Sequence, residues 1–111
     1  DADLVWGSLP TLMVSLMEYV FFAPVFEELA FRGLLFGVFR RRFQWGVAAI
    51  LSAALFALAH GYGLIGFLSV FWSGLIWAWA YERTGSLWPG MIGHAINNLL
   101  VCLSVMALLR A

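Results

Sequence analysis

The stretch Phe43–Tyr81, FQWGVAAILSAALFALAHGYGLIGFLSVFWSGLIWAWAY, contains no Asp, Glu, Lys or Arg. A second uncharged run, TGSLWPGMIGHAINNLLVCLSVMALL, extends from Thr84 to Leu109. A helix crossing lipid needs about 20 mostly apolar residues. Only helices and closed barrels satisfy their backbone polar groups there. These runs lack the two-residue alternation of a barrel strand, so they predict helices. Working outward, four are expected: Pro10–Phe39, Trp45–His60, Leu64–Tyr81 and Pro89–Leu109. Arg40-Arg41-Arg42 ends the first, Gly61-Tyr62-Gly63 the second, and Glu82-Arg83-Thr84-Gly85-Ser86 the third. The expected fold class is all-α, a multi-pass transmembrane bundle of about four helices around a buried polar site.

Composition agrees. The chain is 64% apolar and 17% aromatic, with 11% charged residues, whereas soluble domains carry roughly 25%. Lipid is the solvent this composition suits. The formal net charge is zero, which offers neither a basic surface for nucleic acid nor an acidic tail. Cys102 is the single cysteine, which excludes an internal disulfide framework. The 111 residues suffice for one membrane-embedded domain, 1–111. The first residue is Asp1, with no charged leader before the first apolar run, so the domain is expected to be cut from a longer protein.

Four crossings place the Arg40–Gln44 and Glu82–Ser86 loops on one membrane side. Together these loops hold four arginines, and the Gly61–Gly63 turn holds no charge. The positive-inside tendency assigns the arginine side, including Arg40–Arg42, to the cytoplasm. Trp6, Trp45 and Trp88 fall near helix ends, as interfacial tryptophans do.

A few polar residues lie within these apolar helices. Glu27, Glu28 and Arg32 sit mid-helix, where a charge costs at least ~2.5–3.5 kcal/mol on insertion scales and so faces a bundle interior or a watery cavity. Glu28 and Arg32 are four apart and can pair on one face. Glu27 is turned about 100° from Glu28, with no obvious partner on its own helix, the placing of a candidate general base. Pro24, three residues earlier, removes a helical hydrogen bond and kinks or loosens the turn before it. The bland reading of this segment is a buried charge cluster that only fixes packing.

Phe56 and His60 share a face of the second helix, and His94 and Asn98 share one on the fourth. Taken singly, His60 is an ordinary helix-end residue and the His94/Asn98 pair an ordinary interhelical hydrogen-bonding pair. Depth links the first of these to Glu27. At ~1.5 Å per residue, Glu27 lies about 20 Å from Arg40 and His60 about 22 Å from Trp45, at similar heights; His94 lies about 5–10 Å lower on the same measure.

At this point three segments match one family. Glu27-Glu28-Leu29-Ala30-Phe31-Arg32 fits EExxxR and is followed by the usual Gly33; Phe56–His60 fits FxxxH, and His94–Asn98 fits HxxxN. The chain resembles the CAAX-type intramembrane glutamate peptidases and their bacteriocin self-immunity relatives, over roughly Pro10–Leu108. The resemblance implies that Glu27 and His60 activate a water for attack on a peptide carbonyl. It implies that His94 and Asn98 donate to the oxyanion, that Glu28 and Arg32 support the site, and that Phe56 walls it. The implied partners are membrane lipid and a peptide or protein substrate, lipidated or not, with no obligatory cofactor. The family usually has further helices, in which substrate selection can reside.

Two other mechanisms and two other function classes stand beside this one. One glutamate and two histidines can bind zinc, although the helical HExxH arrangement is absent. Cys102, eight residues beyond His94 and roughly 80° around the helix, and the serines lack a neighbouring base. Glu18 falls on the helix face opposite Glu27 and is left out of the site. A non-catalytic immunity or scaffold protein would share the small-xxx-small spacing of Gly33 and Gly37. A transporter fragment would also hold mid-membrane charges. Phe67, Phe71, Trp72, Trp77 and Trp79 make the third helix apolar nearly all round, as a lipid-facing and packing surface. Substrate identity and oligomeric state are not legible in these residues.

Overall fold

The computed structural model describes residues 8–110, so Trp6 lies outside the described residues. The described residues form four helices and no strand: α1 (Leu9–Arg40), α2 (Trp45–Ala59), α3 (Leu64–Thr84) and α4 (Trp88–Arg110). α1 has 32 residues and α3 and α4 rise more than 30 Å, each enough to cross the ~30 Å hydrocarbon core. α2, with 15 residues, rises only about 22 Å and is shorter than a full span.

α1 starts where a reciprocal cap allows it. Ser8 Oγ accepts from the Thr11 backbone N–H at 3.4 Å, and the Thr11 hydroxyl accepts from the Ser8 N–H at 3.3 Å, a pattern that satisfies two orphan donors. The helix then alternates in register. Leu9–Met17 is α-helical, Glu18–Phe22 π-helical, Ala23–Glu28 α-helical, Leu29–Phe36 π-helical and Gly37–Arg40 α-helical. The first π turn lies directly N-terminal to Pro24, and the chain stays helical through the proline. The loosening predicted there is therefore a change of register. Ala23 N–H donates to Glu18 O; the next bond of that register would run from residue 24 to Tyr19 O, and proline has no N–H to make it.

Two glycines shape the connections. Gly61 and Gly85 both have φ +67, the left-handed conformation that ends helices and suits glycine. Gly85 N–H donates to Tyr81 O at 2.8 Å. α3 runs three residues beyond the predicted Tyr81, because the ends of its last turn are held: Thr84 Oγ1 donates to Ala80 O at 2.7 Å and accepts from Ser86 N–H at 3.2 Å. Pro89 and Gly90 lie inside the first turn of α4.

By contact the chain falls into two compact units. One comprises α1 up to Phe26 and α4 from Met91. In it Leu12, Val20, His94 and Cys102 are buried. The other, Glu27–Gly90, holds the rest of α1, α2, α3 and the start of α4. Its core is Phe36, Ala48, Ala49 and Ala78, with Phe39, Leu75 and Tyr81 packed against it. Small residues let α2 and α3 approach closely. A Cβ on Gly74 would stand 3.0 Å from Ala53 Cβ and 3.2 Å from Phe56 Cδ2. Gly33 and Gly37 make no comparable approach among the described residues: a Cβ on Gly37 would meet nothing within 4 Å, and one on Gly33 would reach only the Leu87 side chain and its own helix. The close approach belongs to Gly74 instead.

Arg40 ties the ends of α1 and α3 together. Its guanidinium donates to both Glu82 carboxylate oxygens, the shortest contact being 2.9 Å, and to Phe43 O at 3.2 Å. The two arginine-bearing connections thus lie at one end of this unit. Outside, the helices present Leu34, Ile50, Ile65, Trp72 and Trp79 as exposed apolar side chains, the surface a lipid environment solvates.

Candidate functional site

Within the Glu27–Gly90 unit, α1 and α2 bring a carboxylate and an imidazole together. His60 is the residue at which α2 ends, its N–H bonded back to Ala57 O. Its Nδ1 lies 2.7 Å from Phe56 O. A carbonyl only accepts, so Nδ1 carries the proton and donates it. That leaves Nε2 facing Glu27 Oε1 at 3.1 Å. The carboxylate and the second ring nitrogen thus face each other at hydrogen-bond distance. Glu27 and His60 remain 26% and 20% exposed.

Glu28 is placed differently. It and Arg32 are each 1% exposed and pair through Arg32 Nε and Glu28 Oε2 at 3.5 Å. Arg32 Nη2 donates to Gly74 O at 3.3 Å, and its guanidinium carbon lies 4.3 Å from the centre of the Phe56 ring, cation–π distance. Arg32 Nη1 has no hydrogen-bond partner among the described residues. Two adjacent glutamates thus occupy two environments, one half-open beside a histidine and one sealed beside an arginine.

Phe56 joins the two. Its ring meets His60 at 4.6 Å and Phe31 at 5.0 Å, both edge-on, the arrangement aromatic quadrupoles favour. The ring that Arg32 covers therefore also walls the imidazole.

Sequence reasoning passed over three further residues. A Cβ on Gly90 would lie 2.9 Å from Glu28 Oε2, so the first turn of α4 leaves the Glu28 carboxylate its space. The positive end of the α4 dipole favours an anion there. Gly74 supplies the carbonyl that Arg32 binds. Tyr62 packs its ring 5.6 Å from that of His60. The glycines show in sequence only as small residues, and the tyrosine only as part of an uncharged turn.

His94 and Asn98 belong to the other compact unit. His94 is buried on α4. Asn98 Nδ2 donates to Tyr19 O at 2.7 Å, the carbonyl for which Pro24 can supply no N–H. Its amide carries a second N–H besides.

With this geometry in hand, comparison with known proteins gives a consistent result. Residues 9–100 match the family described as "Type II CAAX prenyl endopeptidase Rce1-like". An "Uncharacterized 24.3 kDa protein" of Escherichia coli is 34% identical over 91 residues, covering 78% of this chain and 42% of that protein. A "Putative membrane peptidase YdiL" of Bacillus subtilis (strain 168) is 28% identical over 78 residues, 70% of this chain and 32% of that protein. The chain thus spans less than half the length of these relatives. No solved structure matches it. Three long apolar helices and a family of membrane proteases describe an integral membrane protein, and the chain belongs to the Rce1-like family of type II CAAX prenyl endopeptidases.

Proposed function

We propose that the protein is an active intramembrane endopeptidase in which Glu27 and His60 activate the attacking water. The observation that carries this reading is the Glu27–His60 contact at 3.1 Å, with the far side of the imidazole fixed by Phe56 O. Glu27 takes a proton from a water held beside it, and His60 orients that water and shares the proton. The water oxygen attacks the scissile carbonyl carbon, and the carbonyl π electrons move onto its oxygen. His94 and Asn98 take the role of hydrogen-bond donors to this oxyanion, each donor in such a role being worth ~2.7–4 kcal/mol. As the tetrahedral intermediate collapses, the C–N bond breaks and the proton held by the dyad passes to the leaving nitrogen. The products are a carboxylic acid and an amine.

Glu28 and Arg32 act on this chemistry indirectly. They anchor Phe56 and the Gly74 carbonyl, and so hold the ring against which His60 stands. The substrate is a membrane-associated peptide, with a prenylated CAAX tail the class that the family name suggests. The reaction needs no obligatory cofactor, and the end bearing Arg40–Arg42 and Arg83 faces the cytoplasm.

The test is hydrolysis of membrane-peptide probes, including a farnesylated CAAX peptide, by purified protein in liposomes, comparing wild type with Glu27→Gln in the presence and absence of chelator. The expected result is chelator-resistant cleavage that Glu27→Gln lowers by ~10²–10⁴, the usual worth of a positioned base. Chelator-sensitive cleavage would assign the reaction to zinc. A wild type without cleavage on every probe would leave the non-catalytic immunity or scaffold role.

A further inference from the structure

Among the described residues the His60 ring makes four contacts with three residues, and the dyad reading uses three of these contacts. Nδ1 is bound to Phe56 O, Nε2 faces Glu27, and the Phe56 ring packs on the imidazole. The fourth is Tyr62, whose ring lies 5.6 Å away at an interplanar angle of 56°. Tyr62 sits in the turn between α2 and α3 and is 60% exposed. An aromatic side chain in such a turn is free to lie in the lipid–water interface, yet this one turns back onto the imidazole.

The backbone is built for that. Gly61, at φ +67, takes the left-handed conformation and reverses the chain directly after His60. Gly66, in the first turn of α3, gives Tyr62 its seat. A Cβ there would overlap Tyr62 Cβ and stand 3.1 Å from its Cγ.

We propose that Tyr62 is a positioning residue of the Glu27–His60 dyad, its ring packing on the imidazole beside that of Phe56 and so holding the orientation in which Nδ1–H meets Phe56 O and Nε2 meets Glu27. The inference rests on the reading of Glu27 and His60 as a working dyad. Without the Tyr62 ring, rotation about the Cβ–Cγ bond carries Cδ2 and Cε1 into the places of Nδ1 and Nε2, so that both the Phe56 O and the Glu27 contacts are lost and neither tautomer is favoured. With it, one tautomer is held and Nε2 stays on the carboxylate.

The chain has only two histidines, His60 and His94, which makes ring nitrogen NMR of ¹⁵N-histidine-labelled protein in detergent micelles a direct test. A His94→Gln variant assigns the signals. Recorded at alkaline pH, with the imidazole neutral, the two His60 ring nitrogens of the wild type are expected at well-separated shifts, with Nδ1 protonated. Tyr62→Ala is expected to move the two signals toward each other, as two tautomers average, and Gly66→Ala to do the same by displacing the intact tyrosine. Tyr62→Phe, which keeps the ring, is expected to retain the wild-type separation. Wild-type shifts in Tyr62→Ala, or averaging in Tyr62→Phe to the same extent as in Tyr62→Ala, would overturn the inference. The dyad is judged separately in the same spectra: Glu27→Gln shifts Nε2 if the carboxylate contact exists and leaves it unmoved if it does not.

Discussion

Glu28 and Arg32 form a sealed ion pair, and removing one partner of such a pair leaves a buried charge uncompensated. Arg32→Met is therefore expected to destabilise the protein by ~3–5 kcal/mol, and Glu28→Gln combined with Arg32→Met to recover much of that loss. Denaturant titration of the purified protein checks both; a double variant no more stable than the single one would contradict the account. Asn98 has a structural task besides its proposed catalytic one, because its amide satisfies the carbonyl at Tyr19. Asn98→Ala is expected to lower stability by ~1 kcal/mol, the usual order for a hydrogen bond between membrane helices, and measured unfolding beside activity separates the two effects. At this scale the sequence was informative where spacing alone decides contact. Glu28–Arg32 and Phe56–His60 are four apart on one helix, and both meet. The fixed rise per residue sets Glu27 and His60 at similar heights, and they lie 3.1 Å apart. That the tyrosine of the following turn packs on the imidazole depends on the left-handed φ at Gly61 and the absent Cβ at Gly66, and has no periodic signature.

The helices were legible because lipid admits few alternatives. An uncharged run of this length must satisfy its backbone internally, and the breaks at arginines and glycines then fall where the described helices end, to within a few residues. Register changes within α1 were not legible as such. Pro24 marks where the regular ladder fails, but the π-helical form depends on the donors available nearby, and nothing in residues 29–36 announces the second π stretch. Nor could small-residue spacing choose among several glycine pairs; Gly33 and Gly37 have the familiar interval, whereas the close contact is at Gly74 against Ala53. Gly74→Ala is accordingly expected to push α2 from α3 by a few tenths of an ångström at Ala53 and Phe56 and to cost ~1–3 kcal/mol as overpacking, while Gly37→Ala is neutral to slightly stabilising through helix propensity. Thermal unfolding of the two variants side by side checks the contrast, and equal behaviour would contradict it.

For the whole molecule, composition fixed the solvent and the family resemblance supplied the likeness that the match over residues 9–100 bears out. The Arg40–Glu82 contact brings the two arginine-bearing connections to one end, so cysteines introduced at Arg42 and Ser86 in a protein with Cys102 replaced are expected to label from the same face of sealed vesicles, the cytoplasmic one; labelling from opposite faces would contradict the topology. α2, about 22 Å long against a ~30 Å hydrocarbon core, ends short of a full crossing when it starts at an interfacial Trp45. His60 and its partner then lie within the apolar thickness, where hydrolysis requires groups that hold their own water. In the proposed reaction Glu27 and His60 work as one unit on that water. The rate of peptide cleavage by Glu27→Gln, His60→Ala and the double variant tests it most directly. Residues acting as a unit are far from additive, so each single change is expected to cost ~10²–10⁴ and the double variant about the same as either. Undiminished cleavage in either single variant, or losses that multiply in the double one, would contradict it.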